Sequence, residues 1–271
     1  MSIPKRVAER ITNRIKQFQS ILDAQRARDV SEADTVTLVK DLLSEVFGYD
    51  KYAELTSEHS IRGTYCDLAV KIESKLALLI EVKAIGTELR DQHIKQAIDY
   101  AANEGCEWVV LTNAVEWRMY HVLFRKPIDK QELAQLNLLT IDTKQDECME
   151  RLYLLTREGF VKSALAEYRD RKEATSRFML AAILLHSGPV QTALRREVRR
   201  VSEMLVDPAE IDKILRDEVI KRECIEGEQA DAAARRVQRS AEKSIRRASE
   251  ECEGSEANPN PSESPPVQDA H

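Results

Sequence analysis

Residues 66–83 read CDLAVKIESKLALLIEVK, and this stretch decides the fold. Two runs rich in apolar and β-branched side chains, 64–72 (TYCDLAVKI) and 76–85 (LALLIEVKAI), flank the polar triplet Glu73-Ser74-Lys75. That is the pattern of a β-hairpin. A hairpin centred on Ser74 pairs positions equidistant from it, and Asp67 and Glu81 each lie seven residues away. They would face each other on one side of the sheet, with Cβ atoms roughly 5 Å apart. Side chains alternate along a strand, so Glu81 and Lys83 share that face, Val82 points away, and Tyr65 lies across from Lys83. A slip of one residue would send Asp67 to the opposite face.

Charge on apolar strands is costly unless it is paired or used. Two carboxylates side by side repel unless a cation sits between them or they share a proton. Hard oxygen donors of this kind suit Mg²⁺ or Mn²⁺, with water and phosphate oxygens completing the shell. Lys83 beside them is placed to orient or deprotonate a water, or to stabilise the negative charge of a phosphorane-like transition state. The alternative is a charged edge hairpin whose Lys and Glu are solvated.

Asp67 followed by Glu81-Val82-Lys83 resembles the PD-(D/E)xK nuclease pattern, and the surroundings sharpen the resemblance. Glu58 and Arg62-Gly63 precede the Asp, LLIEVKAI carries the Glu and Lys, and Gln96-Ala-Ile-Asp-Tyr100 follows. Then come Glu107-Trp-Val-Val-Leu-Thr-Asn113 and Glu116-Trp117. Over about residues 30–125 this string resembles the N-terminal nuclease domain of type I restriction enzyme R subunits. The whole layout is similar to stand-alone predicted type IV restriction endonucleases. The resemblance implies an α/β, restriction-endonuclease-like mixed sheet flanked by helices, and a metal-dependent endonuclease acting on foreign or modified DNA. It makes Asp67 and Glu81 metal ligands and Lys83 the catalytic lysine, and it gives Gln96 and Tyr100 the QxxxY positions. The proline of the motif name is absent, since Cys66 precedes Asp67.

Gln96 and Tyr100 fall at i and i+4 on a helix expected over about 91–104, so they share a face. The buried side is read as Ile94, Ala97, Ile98 and Ala101, with Gly105 closing the helix. An ordinary amphipathic surface explains the same spacing. A further acid often comes from the first helix of this fold. Glu32 in Ser31-Glu-Ala-Asp34 is the candidate metal ligand, although capping and the helix dipole equally explain acids there. Glu58 is the other candidate.

The remainder sets limits. At 271 residues, with 42% hydrophobic and 32% charged content, one mixed α/β domain plus a smaller helical region is expected. No apolar run approaches the roughly 20 residues that span a membrane. The start, MSIPKRVAER, reads as an amphipathic helix and not as a secretion signal. The five cysteines (66, 106, 148, 224 and 252) show no CxxC pairing, which suits a reduced, cytoplasmic protein.

The net charge of −6 leaves DNA contact to local basic groups. Arg62, Lys83, Arg90 and Lys95 border the expected site. Arginines 195, 196, 199 and 200, and 235, 236, 239, 246 and 247, sit among acids and read as salt-bridged helix faces, with phosphate binding as the alternative. No GxxxxGK[ST] occurs, so the chain carries no P-loop motor, and separately encoded restriction subunits are candidate partners.

The expected organisation is an N-terminal helix over 1–28, packed on its own domain or forming a homodimer seam. A nuclease domain over 29–126 and a connector over 127–145 follow. Helices over 146–252, with a single helix over 146–170, and a low-complexity tail over 253–271 complete it.

Overall fold

The computed structural model describes residues 2–61 and 64–255, with side chains described outside 58–61, 64–65 and 244–255. The expectations placed on Glu58, Arg62, Gly63, Tyr65, Arg246, Arg247 and the tail beyond Ser255 lie outside the described residues or side chains.

Strands β1 (Leu55–Ile61), β2 (Thr64–Ile72) and β3 (Lys75–Val82) form an antiparallel meander. The β2–β3 turn is the two residues Glu73 (φ 51) and Ser74 (φ 65), shorter than the triplet expected. Both carry the positive φ that a type I′ hairpin turn demands. Ile72 pairs with Lys75 and Lys71 with Leu76, a register that alone would place Asp67 opposite Ile80. Ala77 is then an extra residue, and beyond it Val70 pairs with Leu78 and Leu68 with Ile80. This one-residue bulge carries Asp67 into register with Glu81.

The helix α3 (Asp91–Glu104) crosses from β3 to the parallel strand β4 (Trp108–Thr112) and ends at Gly105, which adopts φ 69. β5 (Glu116–Leu123) and β6 (Asp129–Asn137) continue antiparallel, giving six strands in sequential order. The sixth strand corrects the expected connector over 127–145. Its first half is polar, and only Leu133, Ala134 and Leu136 are buried, as befits an edge strand.

One sheet face packs on α3, through Ala69, Leu79, Val109 and Leu111 against Ile94, Ala97, Ile98 and Ala101. The other face, with Leu68, Val70, Leu78, Ile80 and Val82, packs on α1 (Lys5–Ala27) and α2 (Glu32–Asp41). α2 runs on into a π-helical turn, Leu42–Val46. The α1 stripe Val7, Ile11, Ile15, Phe18 and Leu22 is buried in this core, so the helix serves its own domain. Arg10 fixes it there. Its guanidinium donates to Val46 O (3.0 Å) and Phe47 O (3.3 Å) and forks onto both Glu158 oxygens at 2.7 Å.

The first compact unit spans 1–169, so it extends past the boundary expected near 145. α4 (Asp146–Leu154) and α5 (Arg157–Val161) belong to it, and α6 (Ala164–Ala174) begins in it. The single helix expected over 146–170 is therefore three. Thr156 ends the first of them, since its hydroxyl donates to Tyr153 O (2.7 Å) and caps Gly159 N–H (3.0 Å). A side chain at Gly159 would meet Tyr153 O at 2.2 Å, so only glycine permits this turn.

The second unit, 170–271, is helical where described: α7 (Arg177–His186), α8 (Gly188–Ser202), α9 (Pro208–Ile214) and α10 (Glu228–Ser255). Gly188-Pro189 opens α8 directly after α7. Two of the arginines expected on salt-bridged faces are ion-paired, Arg200 with Glu197 and Arg236 with Glu173. No helix among the described residues is long and apolar enough to cross a membrane.

Candidate active site

The site forms where β2 and β3 part company. The ladder runs to the Leu68–Ile80 pair, and there the Asp67 carboxylate takes over by accepting the Val82 backbone N–H at 2.7 Å. The strand alternation that buries Ile80 and Val82 on the α1–α2 side sends Glu81 and Lys83 to the other side. Their head groups meet, with Lys83 Nζ donating to Glu81 Oε1 at 2.7 Å. The Lys83 backbone is held by β4, its N–H donating to Thr112 O at 2.8 Å. Glu32, in the first turn of α2, brings Oε2 to 3.8 Å from Lys83 Nζ.

The helix that delivers Glu32 is aimed by two hydroxyls. Ser31 caps α2 by accepting the Asp34 N–H at 3.2 Å. Thr35, with no exposed surface, donates to Ser31 O at 2.8 Å and accepts the buried Ile85 N–H at 3.1 Å. Thr35 thereby ties the start of α2 to the chain two residues beyond Lys83. Sequence reasoning missed it; a threonine mid-turn in an amphipathic helix gives no local signal beyond its burial periodicity.

Three carboxylates therefore surround one ammonium. Glu81 is only 8% exposed, and burial pushes its pKa up. The Lys83 hydrogen bond works against burial, but Asp67 and Glu32 add repulsion and the net direction is upward. For Lys83, burial pulls the ammonium down, yet the bond to Glu81 and the fields of Glu81, Glu32 and Asp67 outweigh it and raise the net value. Both partners of one ion pair are thus raised. The two directions agree physically, because one cation is shared among three anions and the excess is negative. Burial, with the field of Glu81 next, pushes the neighbouring Cys66 thiol up to about 12, so it stays protonated and inert.

Gln96 and Tyr100 take different environments on α3. Gln96 is exposed on α3, whereas Tyr100, 1% exposed, sits within the core between α3 and the sheet. The two directions differ by about 40° around the helix, enough to put one residue inside the edge of the buried arc and the other outside it. Burial, followed by the charge of Glu104 and of Cys66, raises the Tyr100 pKa. Arg90 is engaged with Glu88 at 2.7 Å on the exposed rim.

Among the described residues, no three His, Cys, Asp or Glu side chains are gathered closely enough to hold a metal by themselves. Glu32 in particular lies against Lys83. The donors present are two carboxylates within a local excess of negative charge. That fits Mg²⁺ or Mn²⁺, which keep several waters and take substrate phosphate as further ligands.

Fold and site together define a mixed-sheet α/β domain with a carboxylate–lysine cluster at the end of paired strands. Residues 38–137 match the family model for the type I restriction enzyme R protein N terminus. The match begins inside α2, ends with β6, and contains Asp67, Glu81, Lys83, Gln96 and Tyr100. Glu32 and Thr35 precede it. Neither the curated proteins nor the solved structures yield a significant match.

Proposed function

We propose that this chain is a divalent-metal-dependent endonuclease that hydrolyses DNA phosphodiester bonds in restriction of foreign or modified DNA. The observation that carries it is the convergence of Asp67, Glu81 and Lys83 at one strand end, with Lys83 Nζ 2.7 Å from Glu81. Asp67 and Glu81 are the residues that would hold Mg²⁺ or Mn²⁺. Such an ion, when bound, neutralises phosphate charge and makes its water more acidic.

The chain's own groups then divide the work. Asp67 keeps one oxygen on the Val82 N–H, which fixes its carboxylate against β3. Glu81 anchors Lys83, whose remaining ammonium protons are directed at a non-bridging phosphate oxygen or at the attacking water. This stabilises charge that grows only in the transition state. Gln96, exposed on α3, is available to contact the DNA backbone or the attacking water. Tyr100 supports the same helix from inside the core. DNA is the partner, within a cytoplasmic restriction system whose other subunits or second copy of this chain supply translocation or target reading.

A second reading, a DNA-binding or scaffold subunit without chemistry, draws on one observation: Glu81 and Lys83 already satisfy each other. Cleavage separates the two. Purified protein is incubated with unmodified, methylated and glucosylated duplexes in Mg²⁺ and in Mn²⁺. The expected result is cutting that Asp67→Asn and Lys83→Ala abolish while circular dichroism stays native. Cutting that survives both substitutions rejects the site.

A further inference from the structure

We propose that Thr35 is a positioning residue for Lys83, acting through Glu32. The inference rests on Lys83 being the working ammonium of the preceding section. It concerns residues that lie before the matched segment 38–137.

Lys83 has two carboxylate neighbours of different character. Glu81 holds it at 2.7 Å but is also one of the two acids placed to take a metal ion. An oxygen committed to a cation is a weaker acceptor for an ammonium. Glu32 stands at 3.8 Å, is about half exposed, and belongs to another element. It is the group that keeps Lys83 aimed when Glu81 is shared. Its value depends on the distance between the start of α2 and the end of β3.

One side chain spans that distance. Thr35 lies one helical turn after Ser31, and its hydroxyl uses its proton on Ser31 O and a lone pair on the Ile85 N–H. The two hydrogen bonds measure 2.8 and 3.1 Å, and Thr35 is fully buried, so water cannot replace either. On the strand side, Lys83 N–H is held by Thr112 O. The hydroxyl thus closes a frame from α2 through residues 83–85 to β4. Valine has nearly the same shape and breaks the frame by leaving Ile85 N–H unpaired. Serine keeps the hydroxyl.

The test uses the full chain in two states. In the metal-free protein, proton exchange at Lys83 Nζ is followed by ¹⁵N NMR. It is expected to be slow in the wild type, faster in Thr35→Val and Glu32→Gln, and slow again in Thr35→Ser. In the cleavage assay, Thr35→Val is expected to lower kcat by about 10- to 100-fold with KM little changed, as small misplacements of a catalytic group do, and Thr35→Ser to recover most of the loss. Calorimetry with Mn²⁺ should find uptake by Glu32→Gln close to wild type, whereas a large loss would make Glu32 a metal ligand and overturn the assignment. Unchanged Lys83 exchange and kcat in Thr35→Val would also overturn it. If the valine variant does not fold, Thr35→Ala takes its place in the exchange comparison, and wild-type exchange at Lys83 in that variant overturns the assignment. If wild type neither takes up Mn²⁺ nor cuts DNA, the hydrolytic reading fails, while the exchange measurement still decides the role of Thr35.

Discussion

Replacing Lys83 by methionine keeps the length of the stem and removes the charge 2.7 Å from Glu81. Glu81 is 8% exposed and cannot turn to water. Deleting one partner of a buried ion pair costs about 3–5 kcal/mol. Here the cost has a ceiling, because Glu81 can take up a proton instead. Measured from an ordinary glutamate pKa of about 4.3, holding that proton costs about 4 kcal/mol at pH 7 and about 1 kcal/mol at pH 5. The direction is set by burial and by Asp67 and Glu32, which already raise the Glu81 pKa and are unopposed once Lys83 is gone. A carboxyl whose folded value lies above its unfolded value destabilises the fold increasingly as pH rises from the unfolded value through the folded one. Lys83→Met should therefore cost about 2–4 kcal/mol at pH 7 and about 1 kcal/mol or less at pH 5. Urea denaturation in EDTA, followed by circular dichroism at both pH values, measures this. An equal loss at the two pH values, or a loss at pH 7 within the roughly 0.5 kcal/mol of an ordinary surface change, refutes the reasoning.

Arg10→Met removes two backbone hydrogen bonds and the fork onto Glu158, and should cost about 2–4 kcal/mol, a fall in Tm of roughly 5–15 °C in a melt. Burial raises the Glu158 pKa, but Arg10 outweighs it and the net direction is down. The stability gained from Glu158 is thus present above about pH 4.3 and lost as pH falls through its folded value, so the Arg10→Met penalty should shrink in acid. Deleting Ala77 removes the bulge but leaves Val70 opposite Leu78, and so Asp67 opposite Glu81. That deletion should retain Mn²⁺ uptake in a calorimetric titration, whereas loss of uptake would show that the bulge itself shapes the site.

The hairpin was legible because its pattern is local. Equidistance from Ser74 gave the right partner for Asp67, although the structure arrives there by a two-residue turn and a bulge at Ala77. Nothing in the spacing of Lys71-Ile-Glu-Ser-Lys75 separates a three-residue loop from those two features together. β6 escaped because Asp129-Lys-Gln-Glu132 is polar on both faces, as an edge strand allows, and Pro127 upstream suggests a linker. The division of 146–170 into three helices escaped because Thr156 and Gly159 act through one cap that spacing alone does not reveal.

Within the candidate site, Asp67, Glu81 and Lys83 could be singled out in the sequence because charges on apolar strands stand out. Thr35 was not, because its partner Ile85 is fifty residues away and its role is a tertiary hydrogen bond. Gln96 and Tyr100 do share a helix direction, but the buried arc of α3 is wide enough to take in Tyr100 and leave Gln96 outside.

The most direct measurement is a calorimetric titration of metal-free protein with Mn²⁺, beside Asp67→Asn as the control. The account predicts saturable uptake by the wild type that the substitution eliminates. No uptake, or uptake that Asp67→Asn leaves unchanged, would contradict the claim that these strand-end carboxylates hold the ion.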